Sequence, residues 1–176
     1  SLTKEQQRNL ASINSYYAKA FEQMKLQIDA KVAESKVKAG KRIREVPSVS
    51  EKKLFDAIMA RYKGKVVMVD LWATWCGPCR GAIASFEPRK NKFKDKDVVF
   101  VYITNESSPE SKWLEMVAGI EGEHYRLNRK QWDYICDYFG VDGIPSYVIV
   151  DRDGNARLRN NLRGSGMLEQ ELSGML

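Results

Sequence analysis

The chain has 176 residues, of which 43% are hydrophobic, a length that suits one buried core with an appendage and leaves little room for a second domain. The formal net charge of +6 is confined to residues 1–53, where 12 Lys and Arg face 6 Asp and Glu, while residues 54–176 hold 17 of each sign. Balanced charge in the main part of the chain argues against a nucleic-acid-binding surface there. The sequence contains no run of 18 or more apolar residues, so it predicts no membrane-spanning helix.

The first predicted element is one long amphipathic helix over residues 10–32. Apolar residues recur there in steps of three or four, with charged residues between them. Such a stripe is buried against the following domain, a second copy of the chain, or a neighbouring domain that is missing here, and the first is the simplest interpretation. The stripe consists of Leu10, Ile13, Tyr17, Phe21, Met24, Ile28 and Val32.

A basic segment around Gly40 then leads to Pro47, and its composition is typical of a solvated linker or a helix end. Ser48 and Glu51 follow with the spacing of a capping box, which predicts the start of a short helix. A Lys-Gly-Lys turn at Gly64 ends this helix.

The rest of the chain alternates between strands and helices, which predicts a sheet with a parallel core. Residues 66–71 form an apolar run interrupted only by Asp70, as in a strand that is covered on both faces. An Asp-Gly pair at Gly154 suits a tight hairpin between the last two strands. The other predicted elements are helices over 78–93, 111–117, 130–139 and 167–172 and strands over 98–103, 147–150 and 156–162.

These elements define an α/β fold with a central mixed β-sheet, helices on its faces and a long helical extension at the N-terminus. We assign residues 1–47 to the amphipathic helix and its basic linker. Residues 48–176 form the α/β domain.

Two of the three cysteines stand at the predicted strand-to-helix junction, in the order Cys76-Gly77-Pro78-Cys79. A thiol at a helix N-terminus faces unpaired backbone N–H groups and the positive end of the helix dipole, which favours the thiolate. Cys76 is therefore the predicted nucleophile. Cys79, one helical turn further on, is placed to attack a mixed disulfide between Cys76 and a substrate.

Asp70 lies six residues before Cys76 in the strand that is otherwise apolar. Because a desolvated carboxyl group has a raised pKa, Asp70 is the candidate that accepts the proton of Cys79. The alternative is an exposed aspartate at the strand end. We favour the acid-base role because Val69 and Leu71 leave Asp70 little room on the outside.

These residues resemble the thioredoxin-fold family of the TlpA type, which includes envelope thiol-disulfide oxidoreductases of Bacteroidetes. The resemblance covers about residues 52–176 and rests on residues 69–80 and 143–147. It implies a cis proline that faces the cysteines and leaves the preceding backbone free to pair with an extended substrate. It also implies an inserted strand and helix at about 104–128. The substrate-binding residues that it implies are Trp75, Gly77, Pro78, Ile144 and Pro145.

Two positions depart from the pattern of related families. Ala82 stands where cytochrome-maturation relatives carry a glutamate, which argues against a role in cytochrome c maturation. Ala84 stands where thioredoxins carry a helix-kinking proline, so we expect any kink to move toward Pro88.

The sequence thus predicts a thiol-disulfide oxidoreductase that acts on protein substrates, needs no organic cofactor or metal, and works as a reductase fed by an upstream electron donor. A zinc site would have to recruit Cys136 and His124, which we interpret instead as a small buried residue and a surface or strand residue. The alternatives are a redox-inactive binding module that recruits a partner through the N-terminal helix, and the C-terminal redox domain of a larger envelope protein.

Only the resemblance indicates a compartment, namely the periplasm or cell envelope. No signal peptide follows Ser1, and we expect the targeting segment to lie outside this chain. The Gly-Pro dipeptide between the cysteines resembles that of thioredoxin and favours the reducing direction.

Overall fold

A five-stranded mixed sheet forms the centre of the computed structural model, which describes residues 3–40, 42–162 and 167–176. The strands are β1 (Val66–Leu71), β2 (Val98–Asn105), β3 (Glu123–Leu127), β4 (Ser146–Val150) and β5 (Ala156–Leu158). Their order across the sheet is β3-β2-β1-β4-β5. The β1, β2 and β3 strands are parallel, whereas β4 runs antiparallel to β1 and to β5. The predicted fold class is therefore confirmed.

Six α-helices and three short 3₁₀ segments complete the described part of the chain. The α3 helix begins directly after the strand-to-helix junction, and α4 lies between β2 and β3, in the region where the sequence predicts an inserted helix and strand. The helices are α1 (Lys4–Gly40), α2 (Glu51–Met59), α3 (Gly77–Phe86), α4 (Glu110–Val117), α5 (Arg129–Phe139) and α6 (Met167–Ser173), and the 3₁₀ segments are Ala60–Tyr62, Glu87–Phe93 and Asn160–Leu162.

The central strand β1 is buried along its whole length, which explains its nearly continuous apolar sequence. Side chains of a strand alternate between the two faces of the sheet, so β1 contributes to two separate cores. Met68 and Trp72 pack in a cluster that also contains Cys76 and Cys79, and we call this cluster the cysteine-side core. Val67 and Val69 pack in the opposite core, under α2 and α5.

Two of the predicted boundaries were wrong. The N-cap of α2 is Ser50 rather than Ser48, and its side chain makes no capping hydrogen bond. A capping box instead opens α5, where Asn128 and Gln131 bond each other's backbone N–H groups. The last strand is shorter than residues 156–162, because β5 ends at Leu158 and a 3₁₀ turn follows.

The predicted helix over residues 78–93 is divided in two. Regular α-helix ends at Phe86, and the chain continues as the 3₁₀ segment Glu87–Phe93, with Pro88 in its first turn. Proline lacks a backbone N–H and clashes with the preceding helical turn, so it accounts for the change at this point. The irregularity lies at Pro88, as expected from the absence of proline at position 84.

The basic segment before Pro47 is not a solvated linker over its last residues. Ile43 forms a parallel bridge with His124, and the flanking backbone groups of Arg42 and Arg44 bond the backbone of the same histidine. The Arg44 guanidinium pairs with the Glu123 carboxylate. Residues 42–44 therefore attach the end of the N-terminal extension to the β3 edge of the sheet. Lys41, which belongs to the same basic segment, lies outside the described residues.

The apolar stripe of α1 is exposed to solvent. Six of its seven members have about half or more of their side-chain surface accessible, and the side chain of the seventh, Val32, lies outside the described part. Packing of this stripe against its own domain is therefore not observed. None of the helices in the described ranges has the length and apolar character needed to cross a bilayer. The six exposed residues are Leu10, Ile13, Tyr17, Phe21, Met24 and Ile28.

Gly122 gives a direct test of the packing around β2 and β3. Its φ is +142°, and an added Cβ would lie 2.7 Å from the Phe100 carbonyl oxygen and 2.9 Å from the Tyr102 ring. We expect Gly122→Ala to lower the free energy of unfolding by about 1–3 kcal/mol in urea titrations. Gly119→Ala is the matched control, because its Cβ would meet no atom closer than 3.7 Å. Equal stability of the two variants would contradict this description.

Candidate active site

The two cysteines lie at the junction between the end of β1 and the start of α3. Cys76 is the N-cap residue of α3, Pro78 lies in the first turn, and the backbone N–H of Cys79 points at the Cys76 sulfur, with 3.2 Å between N and Sγ. Cys76 and Cys79 are joined as a disulfide, and their Cα atoms are 5.3 Å apart. The Cys76 sulfur thus occupies the helix N-terminus, where the dipole and the free N–H groups stabilise a thiolate after reduction.

The two sulfurs differ in access and in their neighbours. Cys79 is fully buried, whereas Cys76 retains 4% of its surface. The Cys76 Sγ lies 3.8 Å from the carbonyl oxygen of Ile144, and the Ile144–Pro145 peptide bond is cis. Cys76 is therefore the sulfur that a partner can reach, and it is bordered by the loop that carries Pro145.

Trp75 forms an exposed wall beside Cys76. Its side chain is 63% exposed, yet its indole Nε1 donates a hydrogen bond of 2.9 Å to the Ser107 hydroxyl. The adjacent Ser108 hydroxyl accepts a hydrogen bond of 3.0 Å from the Thr74 backbone N–H and lies 2.7 Å from the Thr104 hydroxyl. The loop after β2 therefore fixes the segment before the cysteines.

Sequence reasoning missed Ser107 and Ser108. Two serines before a proline are typical of the start of a helix, and α4 does begin just after them. No local pattern shows that these hydroxyls bond a segment more than 30 residues away. Only the adjacency of β1 and β2 brings the two loops together.

Asp70 is buried on the cysteine side of the central strand. It lies between Met68 and Trp72, which belong to the cysteine-side core, and alternation along β1 points all three side chains the same way. In the register of the sheet it stands beside Tyr102 on β2 and Tyr147 on β4.

Burial changes the acid strength of this carboxyl group. Asp70 is only 2% exposed, and its Oδ1 has no hydrogen-bond partner within the described residues. Desolvation raises the pKa of Asp70 to about 8, although the nearby positive charge of Lys90 acts to lower it. Asp70 is thus not an exposed aspartate at a strand end, and its carboxyl group is able to exchange a proton near neutral pH.

Neither Cys136 nor His124 joins the cysteine pair. Cys136 is a free thiol on α5 that is half-buried rather than fully buried, and burial raises its pKa to about 11. His124 is a strand residue of β3, but it is fully buried rather than on the surface. Its Nε2 lies 3.1 Å from the Ile120 carbonyl oxygen, and desolvation lowers its pKa to about 4. Within the described ranges, no cluster of His, Cys, Asp and Glu is arranged to hold a metal ion.

Comparison with known proteins gives consistent results. A family model described as thioredoxin-like matches residues 64–156. The thioredoxin-like protein YneN of Bacillus subtilis is 39% identical over 92 residues, which are 52% of this chain and 54% of that protein. The thioredoxin of Coprinus comatus is 42% identical over 40 residues, which are 23% of this chain and 38% of that protein.

Solved structures show the same fold. A crystal structure from Bacteroides vulgatus, provisionally assigned as a thiol-disulfide oxidoreductase, is 27% identical, with a TM-score of 0.54 over 67% of this chain and 83% of that one. The chain spans only 38%, 26% and 65% of three of the curated relatives that it matches.

The raised pKa of Asp70 predicts a specific pH dependence of stability. Between about pH 4 and pH 8 the folded chain keeps a proton that the unfolded chain has released, so the free energy of unfolding falls as pH rises. Asp70→Asn removes this loss. The free energy of unfolding of Asp70→Asn minus that of the wild type should therefore increase by about 1.4 kcal/mol per pH unit between pH 5 and 7. This difference should become constant above about pH 8.

This dependence is measured by urea unfolding of the oxidised proteins at a series of pH values. Asp95→Asn, at an exposed position before β2, is the matched control for the removal of one carboxyl group. A difference between Asp70→Asn and the wild type that stays constant with pH would mean that Asp70 has an ordinary pKa.

Proposed function

Because the chain belongs to the thioredoxin-like family, we propose that it is a thiol-disulfide oxidoreductase that exchanges its Cys76–Cys79 pair with the disulfides of protein substrates. The observation that carries this proposal is the position of the pair. It lies at a helix N-terminus, beside a cis-proline loop and on the same side of the sheet as a buried carboxyl group.

The exchange proceeds in two displacements that start from the reduced pair. The Cys76 thiolate attacks one sulfur of the substrate disulfide, and the other substrate sulfur leaves as a thiolate that takes up a proton. The Cys79 thiolate then attacks Cys76 Sγ and releases the second substrate thiol. Two electrons pass to the substrate, and the Cys76–Cys79 disulfide remains.

Asp70 supplies the base that the second displacement requires. Cys79 is fully buried, so water has little access to its thiol proton. Asp70 faces the same core, and its pKa of about 8 allows both protonation states near neutral pH. A base with a pKa close to the working pH transfers protons most effectively. In this proposal Asp70 accepts the proton of Cys79 before the second attack.

The substrate binds in an extended form across the face that exposes Cys76. Trp75 forms one wall, and the Ile144 backbone beside Pro145 offers hydrogen-bonding groups to an extended segment. Gly77 and Pro78 form the first turn of α3 beside Cys76, where the substrate segment would pass.

We further propose that the protein works as a reductase in the periplasm or cell envelope and is re-reduced by an upstream electron donor. The TlpA-type resemblance supports the compartment, and the Gly-Pro dipeptide supports the direction. The absence of glutamate at Ala82 argues against a dedicated role in cytochrome c maturation.

The exposed stripe on α1 supports a second candidate. A redox-inactive module would use this stripe to recruit a partner, and a C-terminal domain of a larger envelope protein would pack it against a preceding domain. A C-terminal domain of a larger protein would have different partners but the same thiol chemistry. Catalytic turnover of a disulfide substrate distinguishes the enzyme from a redox-inactive module.

Cysteine variants test the assigned order of attack. With dithiothreitol as electron donor and insulin as substrate, we expect Cys76→Ser to abolish reduction, because the accessible nucleophile is lost. Cys79→Ser that has been reduced and then freed of dithiothreitol should form a mixed disulfide with insulin that is stable in non-reducing gels, because no second active-site thiol is present to resolve it. Cys136→Ser is the control and should keep wild-type rates. A mixed disulfide that accumulates with Cys76→Ser instead would reverse the assignment.

A further inference from the structure

Lys90 is a buried lysine that the proposed exchange reaction has not used. It lies in the 3₁₀ segment Glu87–Phe93 and is only 3% exposed. A buried ammonium group is costly unless it is paired and hydrogen-bonded. Its Nζ donates to Glu87 Oε2 at 2.6 Å and to the backbone carbonyl of Glu121. These two acceptors offset part of this cost.

The Lys90 ammonium also lies close to two aromatic rings of β2. Its Nζ lies 4.7 Å from the centroid of the Tyr102 ring and 5.3 Å from that of Phe100. Tyr102 is the register partner of Asp70 on the neighbouring strand. The ammonium therefore packs on two rings of the cysteine-side core, and one of these rings belongs to the residue that pairs with Asp70 in the sheet.

We propose that Lys90 is a positioning residue for the thiol chemistry, because its ammonium stabilises the ionised Asp70 and so keeps this carboxylate available as the base for Cys79. This inference rests on the proposed function and extends it to a residue outside the cysteine motif. The structure gives Asp70 a cation in the same core, supplied by the segment that follows the cysteine helix.

The surroundings of the two groups support this role over a purely structural one. In the sheet Asp70 pairs with Tyr102 and Tyr147, and a tyrosine side chain is either neutral or negative, so neither supplies positive charge. The positive charge of Lys90 opposes the burial that raises the pKa of Asp70.

The charged and titratable groups around Lys90 itself include Glu87, Glu121, Tyr102 and His124. Glu87 and Glu121 favour the ammonium form, whereas burial lowers the pKa of Lys90. His124 stacks on Tyr102 and stays neutral near pH 7, because burial lowers its pKa to about 4. The positive charge of Arg42 also acts on His124, whereas Lys90 is the cation whose charge acts on Asp70 through a low-dielectric core.

The test uses the full chain and three variants. Lys90→Gln removes the charge but keeps a donor for the Glu121 carbonyl, and Lys90→Arg keeps the charge. Lys92→Met is the matched control, since Lys92 lies in the same segment, is 66% exposed and pairs with Glu169 on the surface. The readouts are the titration midpoint of the Asp70 carboxyl carbon by NMR in the oxidised protein and the pH profile of insulin reduction.

We expect Lys90→Gln to raise both midpoints by about half a pH unit or more, which means at least a threefold loss of ionised Asp70 at pH 7. Lys90→Arg and Lys92→Met should leave both midpoints close to the wild type. In an Asp70→Asn background, Lys90→Gln should no longer shift the pH profile. Lower stability with unchanged midpoints would overturn the proposal and make Lys90 a structural link to Glu87.

A reciprocal measurement needs no substitution of Lys90. If the two charges are coupled, Asp70→Asn must lower the pKa of the Lys90 ammonium by the same free energy with which Lys90 stabilises ionised Asp70. An unchanged Lys90 pKa in Asp70→Asn would overturn the proposal even if Lys90→Gln failed to fold. If the wild type showed no disulfide exchange, the proposed function would be refuted, but the measured coupling between Asp70 and Lys90 would still stand.

Discussion

The burial of one carboxyl group on the central strand is the constraint from which most of the site follows. Asp70 occupies a position that the pattern of β1 reserves for an apolar side chain, so the fold loses stability at neutral pH by desolvating it. Such a loss is tolerated where the group has a task. Asp70 faces the core that holds both cysteines, and burial brings its pKa to the range in which a thiol proton can be exchanged.

The geometry around the cysteines depends on where the central strand ends. Because β1 lies in the middle of the sheet, its exit is bordered by loops that leave β2 on one side and enter β4 on the other. The β2 loop holds Thr74 and Trp75 through two serine hydroxyls, and the β4 side contributes the cis proline. Cys76 is therefore fixed at a helix N-terminus between two loops. Its reactivity and its access both come from this arrangement.

The sequence predicts the parts of this site that depend on local patterns. The apolar run of residues 66–71 predicts the limits of β1 and the burial of Asp70, and the strand-to-helix junction predicts that α3 starts at the cysteines. The structure confirms all three features. Lys90 was not found, because a lysine in a segment rich in charge is ordinarily exposed. The attachment of residues 42–44 to β3 was missed for a related reason. It depends on backbone pairing with a strand about 80 residues later, which no short-range pattern records.

The central claim is that Cys76 and Cys79 form a reversible two-electron couple, and the reduction potential of the pair tests it most directly. The oxidised protein is equilibrated with graded ratios of reduced and oxidised dithiothreitol or glutathione, and the free thiols of the wild type are compared with those of Cys76→Ser. We predict a single reversible transition in the wild type with a low potential, close to the value of about −270 mV for thioredoxin, and none in the variant. A pair that does not come to equilibrium with either buffer would contradict the claim and leave a thioredoxin-fold binding module.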